Sequence, residues 1–156
     1  MERQLSTPDG VAPPNARRFS TPVRVYYQDT DAGGMVFHAT YLDFMERARM
    51  DWLRTIGFDI PGMVDEHGAM FVVRSARIDY LRPAQLGDAL QVSLALVRVG
   101  GAQLVLDQRV TRAAEELVTA QIQLACITVP HFRPARLPEP LRAEFTRWLA
   151  PETLTA

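Results

Sequence analysis

The chain has 156 residues, of which 47% are hydrophobic, with a formal net charge of −1 and a pI near 6.3. That length fits one domain with a packed core, and the balanced charge argues against a protein whose main task is to hold a nucleic acid. The single cysteine, Cys126, excludes an intrachain disulfide framework and is simplest in a reducing cytoplasm, and no run reaches the ~20 apolar residues of a membrane span.

Residues 1–20 are polar and proline-containing, carry Asp9-Gly10 and show no periodicity. They read as a flexible tail, without the apolar core of a secretory signal, ahead of a domain over residues 21–150. From Pro22, Val23, Val25 and Tyr27 alternate with Arg24, Tyr26 and Gln28, which predicts a first strand ending at Asp29. Gly33-Gly34 permits an irregular turn.

A long helix is then expected from about His38 to Ile56. Tyr41, Phe44, Met45, Ala48, Trp52 and Ile56 recur at steps of three and four, and the charged residues fall largely on other faces. Gly57 stands where a helix-ending glycine belongs, and Met63–His67 fits one further helical turn. After Gly68 the period becomes two. Strands are expected over Met70–Leu81, Leu90–Val99, Gln103–Thr111 and Leu117–Val129, with Gly100-Gly101 as a hairpin turn. Prolines punctuate the segment after the last strand, and Leu141–Leu149 fits a short terminal helix.

One long apolar helix followed by an antiparallel meander predicts an α+β domain: a five-stranded antiparallel sheet curled around the helix. A single helix leaves part of the sheet uncovered. A homodimer that continues the sheet resolves this.

The chemistry concentrates between the first strand and the long helix. Asp29 and Asp31, two apart, have three readings: cation ligands, an acid–base or nucleophilic pair, or turn and cap residues. The acidic companions and the spacing of a calcium loop are missing, which weakens the metal reading. Gly33-Gly34 lets backbone approach a ligand closely, and a helix start supplies unpaired N–H groups with a positive dipole. Donors aimed at one point beside a carboxylate are what acyl transfer requires.

The run Val25-Tyr26-Tyr27-Gln28-Asp29-Thr30-Asp31-Ala32-Gly33-Gly34-Met35-Val36-Phe37-His38-Ala39-Thr40-Tyr41, with Glu46-Arg47-Ala48-Arg49, resembles the signature of the 4-hydroxybenzoyl-CoA thioesterase family. Within it the resemblance is to the Tol–Pal-associated acyl-CoA thioesterases. The resemblance spans roughly residues 21–129 and implies a hotdog fold, dimers that often pair into tetramers, and hydrolysis of an acyl-CoA or an acyl carrier protein thioester without a cofactor or metal. It implies Asp31 as nucleophile or general base, the backbone N–H of His38 as the group that polarises the carbonyl, and the His38 and Tyr27 side chains as participants. Gln28, Met35 and Phe37 depart from the branch's usual wording. The rival from another class is a non-catalytic hotdog dimer that binds acyl thioesters or serves as a scaffold.

Each candidate has a plainer reading. Asp29 fits a turn residue accepting backbone N–H bonds, and His38 a structural histidine at a helix start. Tyr27 fits core packing with its hydroxyl tied off. Glu46 fits a partner for Arg49 or a subunit contact. Cys126 faces the apolar side of its strand, as a small buried hydrophobe does.

Overall fold

The period-two segments form strands and the period-3.6 segment a helix. The computed structural model describes residues 10–149. In chain order it contains β1 (Phe19–Arg24), a single 3₁₀ turn (Tyr27–Asp29), α1 (Thr40–Thr55), α2 (Ile60–His67), β2 (Ala69–Tyr80), β3 (Ala89–Val99), β4 (Gln103–Arg112), β5 (Glu115–Thr128) and α3 (Glu139–Leu149). The five strands make one antiparallel sheet in the order β1-β3-β4-β5-β2.

The inner face of the sheet packs on α1. Phe44, Met45 and Ala48 are fully buried there, and Trp52 is nearly so. They share a core with Leu94, Leu106, Val110 and Ile122. Full burial of each large side chain stabilises the fold by about 1.5–3 kcal/mol, so α1 is held mainly by this stripe and not by helix propensity. Gly57 ends the helix as expected. At φ +95° its N–H donates to the carbonyl of Arg54, and that of Phe58 reaches back to Leu53. α3 closes one end of the core, with Phe145 stacked on Trp52 at 5.4 Å between ring centroids.

Besides the start of α1, three boundaries differ from the expectation. The first strand pairs with β3 from Phe19↔Leu94 to Arg24↔Ala89 and stops at Arg24, well short of Asp29. The apolar alternation continues, but the Asp29 carboxylate accepts the Tyr26 N–H at 2.8 Å and bends the chain into the 3₁₀ turn. The single turn expected at Met63 is instead an eight-residue helix. Asp59 starts it, accepting the Gly62 N–H at 2.7 Å, and Gly68 ends it in the left-handed conformation at φ +59°. Residues 10–20, expected as tail, are packed: Ala12 and Arg18 meet Asp107 on the outer face of the sheet, Arg17 lies over Trp148 of α3, and Phe19 and Ser20 belong to β1. Residues 1–9 of that expected tail, and residue 150, lie outside the described residues.

The segment over the outer face is anchored by Asp107. Its buried carboxylate accepts the Ala12 N–H at 2.8 Å and meets Arg18 and Arg109 at 3.0 Å each. β2, at the opposite edge from β1, is long and largely exposed. Its pairing with β5 shifts register between Val73 and Ser75, with Arg74 as the extra residue of a bulge. Among the described residues no helix is long and apolar enough to cross a membrane.

Candidate active site

The segment from Tyr26 to Ala39 is irregular but tied down along its length. Asp29 is 7% exposed; its side chain takes the Tyr26 N–H and its carbonyl the Phe37 N–H at 2.9 Å. The turn role read for Asp29 is therefore what the structure contains. Val36 donates to the Ala84 carbonyl at 2.9 Å, and Met35 bridges to Gln85, so the loop is fastened to the connection between β2 and β3.

Asp31 sits at the tip of a tight turn. Its N–H donates to the Met35 carbonyl at 2.8 Å, and the Gly34 N–H donates to its carbonyl at 3.0 Å. Its side chain is exposed, and Oδ1 accepts the Gly33 N–H at 2.8 Å. Among the described residues no hydrogen bond engages Oδ2. The two glycines serve the turn differently: the backbone conformation favours glycine at Gly34, and close approach of the Asp31 side chain does so at Gly33. Gly34 has φ +77°, and a Cβ on Gly33 would stand 3.2 Å from Asp31 Oδ1.

α1 begins at Thr40, two residues later than expected, with Ala39 as its N-cap and no side-chain cap. A Ser, Thr or Asp in that place would occupy one of the first-turn donors. Among the described residues no acceptor takes the N–H of His38 or Ala39, whereas Thr40 and Leu42 donate to Phe37 and Ala39. The His38 carbonyl accepts the Tyr80 hydroxyl at 2.9 Å, and the imidazole lies against the Phe37 ring at 4.4 Å between centroids.

Asp31 and His38 share a cleft of about 300 Å³ whose walls include Met35, Tyr41, Tyr80 and Arg82. Tyr27 is not among its lining residues. It is 82% exposed, so its core-packing reading does not hold. Tyr41 packs its ring in the core as expected, but its hydroxyl accepts the Ala84 N–H at 3.1 Å at the cleft wall. Burial pushes the Tyr41 pKa above its ordinary value, partly offset by that bond. Tyr80 was not singled out by sequence. Its position just before Arg82-Pro83 marks a strand end, but the face it occupies depends on register.

Glu46 and Arg49 do not pair: Arg49 donates instead to Gln108 Oε1 at 2.9 Å, and the fully buried Gln108 donates to the Met45 carbonyl at 3.1 Å. Cys126 is buried as expected, and burial raises its thiol pKa.

A carboxylate that lines the same cleft as a helix-start residue with an unpaired N–H, on a sheet wrapped round that helix, fits an acyl-transfer arrangement. Comparison with known proteins agrees. Residues 33–119 match the profile of the thioesterase superfamily, and the chain belongs to that family. It is 42% identical over 127 residues to the acyl-CoA thioesterase YbgC of Haemophilus influenzae, covering 81% of this chain and 93% of that protein. It is 31% identical over 140 residues to the 1,4-dihydroxy-2-naphthoyl-CoA hydrolase of Thermosynechococcus vestitus, covering 85% and 93%. Among solved structures, a probable thioesterase from Bartonella henselae superposes with a TM-score of 0.74 at 35% identity, covering 78% of this chain and all of that one. The fold is the hotdog arrangement that the resemblance implies.

Proposed function

We propose that this protein hydrolyses acyl-CoA thioesters to a carboxylic acid and free coenzyme A. The observation that carries the proposal is the cleft that Asp31 shares with His38, whose backbone N–H has no acceptor among the described residues. The thioester carbonyl oxygen sits on the His38 N–H, with the oxyanion that forms there held by a donor that needs no reorganisation. Gly33 fixes Asp31 through Oδ1 and leaves Oδ2 to act.

Oδ2 either attacks the carbonyl carbon, giving an acyl-aspartyl anhydride that water then opens, or takes a proton from a water that attacks directly. In both routes the C–S bond breaks, water supplies the hydroxyl of the acid, and its remaining proton ends on the thiol. A thiol pKa of about 8.5 makes thiolate a good leaving group, so no strong general acid is required. Tyr80 fixes the adjoining His38–Ala39 peptide through the His38 carbonyl.

We assign the working form as a homodimer, or a tetramer built from such dimers, joined at the exposed β2 edge, where Val73 and Tyr80 are about half exposed. Residence in the cytoplasm is supported by the lone buried thiol. Acyl carrier protein offers the same phosphopantetheine arm as coenzyme A, and rates on matched thioesters decide between the carriers.

The test is a panel of short, long, aromatic and hydroxylated acyl-CoAs, followed by thiol release. At least one is hydrolysed by the wild type, and Asp31→Asn removes that turnover while the protein stays folded. Near-normal hydrolysis by the folded Asp31→Asn protein sinks the mechanism. Silence across the whole panel sinks the activity and leaves the binding or scaffold role.

A further inference from the structure

The groove between α1 and β2 holds two hollows, one at each end. Tyr41 and Tyr80 line the cleft, and further along the same two elements a second hollow of about 340 Å³ opens, walled by Leu53, Ile60, Phe71, Val73 and Leu124. From Tyr41 to Arg49 is eight residues along α1, or about 12 Å at the helical rise of 1.5 Å per residue. The walls are apolar except for Glu46 and Arg49.

Arg49 is out of keeping with those walls. It is half-buried, and among the described residues no carboxylate lies within salt-bridge distance of it. Its hydrogen bond there goes to the neutral Gln108, which is itself fixed by the Met45 carbonyl. A guanidinium has five N–H donors and stays charged in proteins, so most of its donors remain to be satisfied. Burial pushes its pKa below the ordinary value, with Glu46 pulling it back up. A partly desolvated cation whose hydrogen-bond partner is neutral, with the exposed Glu46 acting on it only at longer range, is further stabilised by an anion that bonds it directly.

We propose that Arg49 recognises a carboxylate at the far end of the acyl group, so that the preferred substrates are acyl-CoAs whose chain runs from the catalytic cleft into the second hollow and ends in a carboxylate. This rests on the acyl-CoA hydrolase reading. Gln108 is a positioning residue that aims the guanidinium, and the apolar walls take the methylene or aryl body between the two polar ends.

The test uses unreactive S-alkyl-CoA thioethers, which need no catalysis, read by titration calorimetry. Two are of equal length, long enough to span about 12 Å, one ending in methyl and the other in carboxylate. A third, S-ethyl-CoA, is too short to reach Arg49. The carboxylate-ended ligand binds the wild type about tenfold tighter or more than its methyl twin, the scale of one charge-assisted bond. Arg49→Met levels the pair, Arg49→Lys restores part of the preference, and S-ethyl-CoA binds wild type and Arg49→Met alike. Equal affinities in the wild type, or a preference that survives in Arg49→Met, overturns the proposal. So does an Arg49→Met protein that loses all three ligands together or changes its oligomeric state by sedimentation, since Arg49 is then a folding or subunit-contact residue. A clear preference among the thioethers without hydrolysis in the acyl-CoA panel separates failure of the hydrolase reading from failure of this one.

Discussion

The outer face of the sheet and the α1–β2 groove both hold charged groups, and they treat them oppositely. On the outer face Asp107 is saturated: a backbone N–H and two guanidinium groups converge on it, and Arg109 reaches on to Glu116 at 2.9 Å. In the groove, the Asp31 carboxylate receives one backbone bond and Arg49 donates to one amide. A satisfied ion holds chain segments together; an under-satisfied one is available to a substrate. On the proposed reading, hydrogen-bond completeness rather than location in the fold separates these two uses.

The sharpest way to break that comparison is to remove one carboxylate from each side. Asp31→Asn lowers kcat by about 10²–10⁴-fold and leaves the thermal midpoint in place. Asp107→Ala does the reverse, costing about 3 kcal/mol in urea unfolding because two partly buried guanidinium groups and the Ala12 N–H lose their shared partner, with kcat/KM unchanged. Comparable activity losses from both would remove the distinction. A smaller effect is expected from Gly33→Ala. Its Cβ at 3.2 Å from Asp31 Oδ1 displaces the carboxylate and lowers kcat about tenfold, while stability moves by less than about 1 kcal/mol.

Asp88 extends the satisfied class to the connection beneath the cleft. Burial pushes its pKa up, but the Gln85 N–H and the Arg112 guanidinium outweigh that and hold it below the ordinary value. A depressed carboxylate pKa contributes stability above its unfolded value of about 3.9, and that contribution is lost as pH falls through the folded pKa. The thermal midpoint therefore drops less on acidification in Asp88→Asn than in the wild type, as scanning calorimetry on the two proteins checks. The smallest effect belongs to Tyr27, which stands outside the cleft: Tyr27→Phe changes kcat/KM by less than about twofold, well under the ~1 kcal/mol of a typical hydrogen bond.

Much of this was legible from residue pattern. β2 to β5 fall within about two residues of where alternation and the Gly and Pro signals put them, because one buried face imposes a period of two. α1 declared itself by its stripe. β1 was misjudged because Val25 and Tyr27 prolong the alternation through a turn that only the hydrogen bond of Asp29 reveals. The loop's glycines and carboxylates pointed to Asp31 and to the helix start. Its second wall did not show. Tyr80, Arg82 and the Tyr41 hydroxyl meet the loop only through pairing between segments some 40 residues apart. The Arg49–Gln108 bond spans 59 residues, and no local spacing encodes it.

Arg74 has a part in this that its exposed position conceals. Side chains alternate along a strand, so Tyr80 and Ile78 could share a face with Val73 and Phe71 only if the parity changed between them. The bulge at Arg74 makes that change, since Val73 pairs with Leu124 while Ser75 pairs with Gln123. It works as a phase shifter for the groove. Deleting Arg74 alone would leave Val73 opposite Leu124 and Ser75 opposite Gln123 in an unbroken ladder, with both walls still facing inward but without the kink and added twist of the bulge, so one surplus residue sets the angle between the two halves of the groove wall.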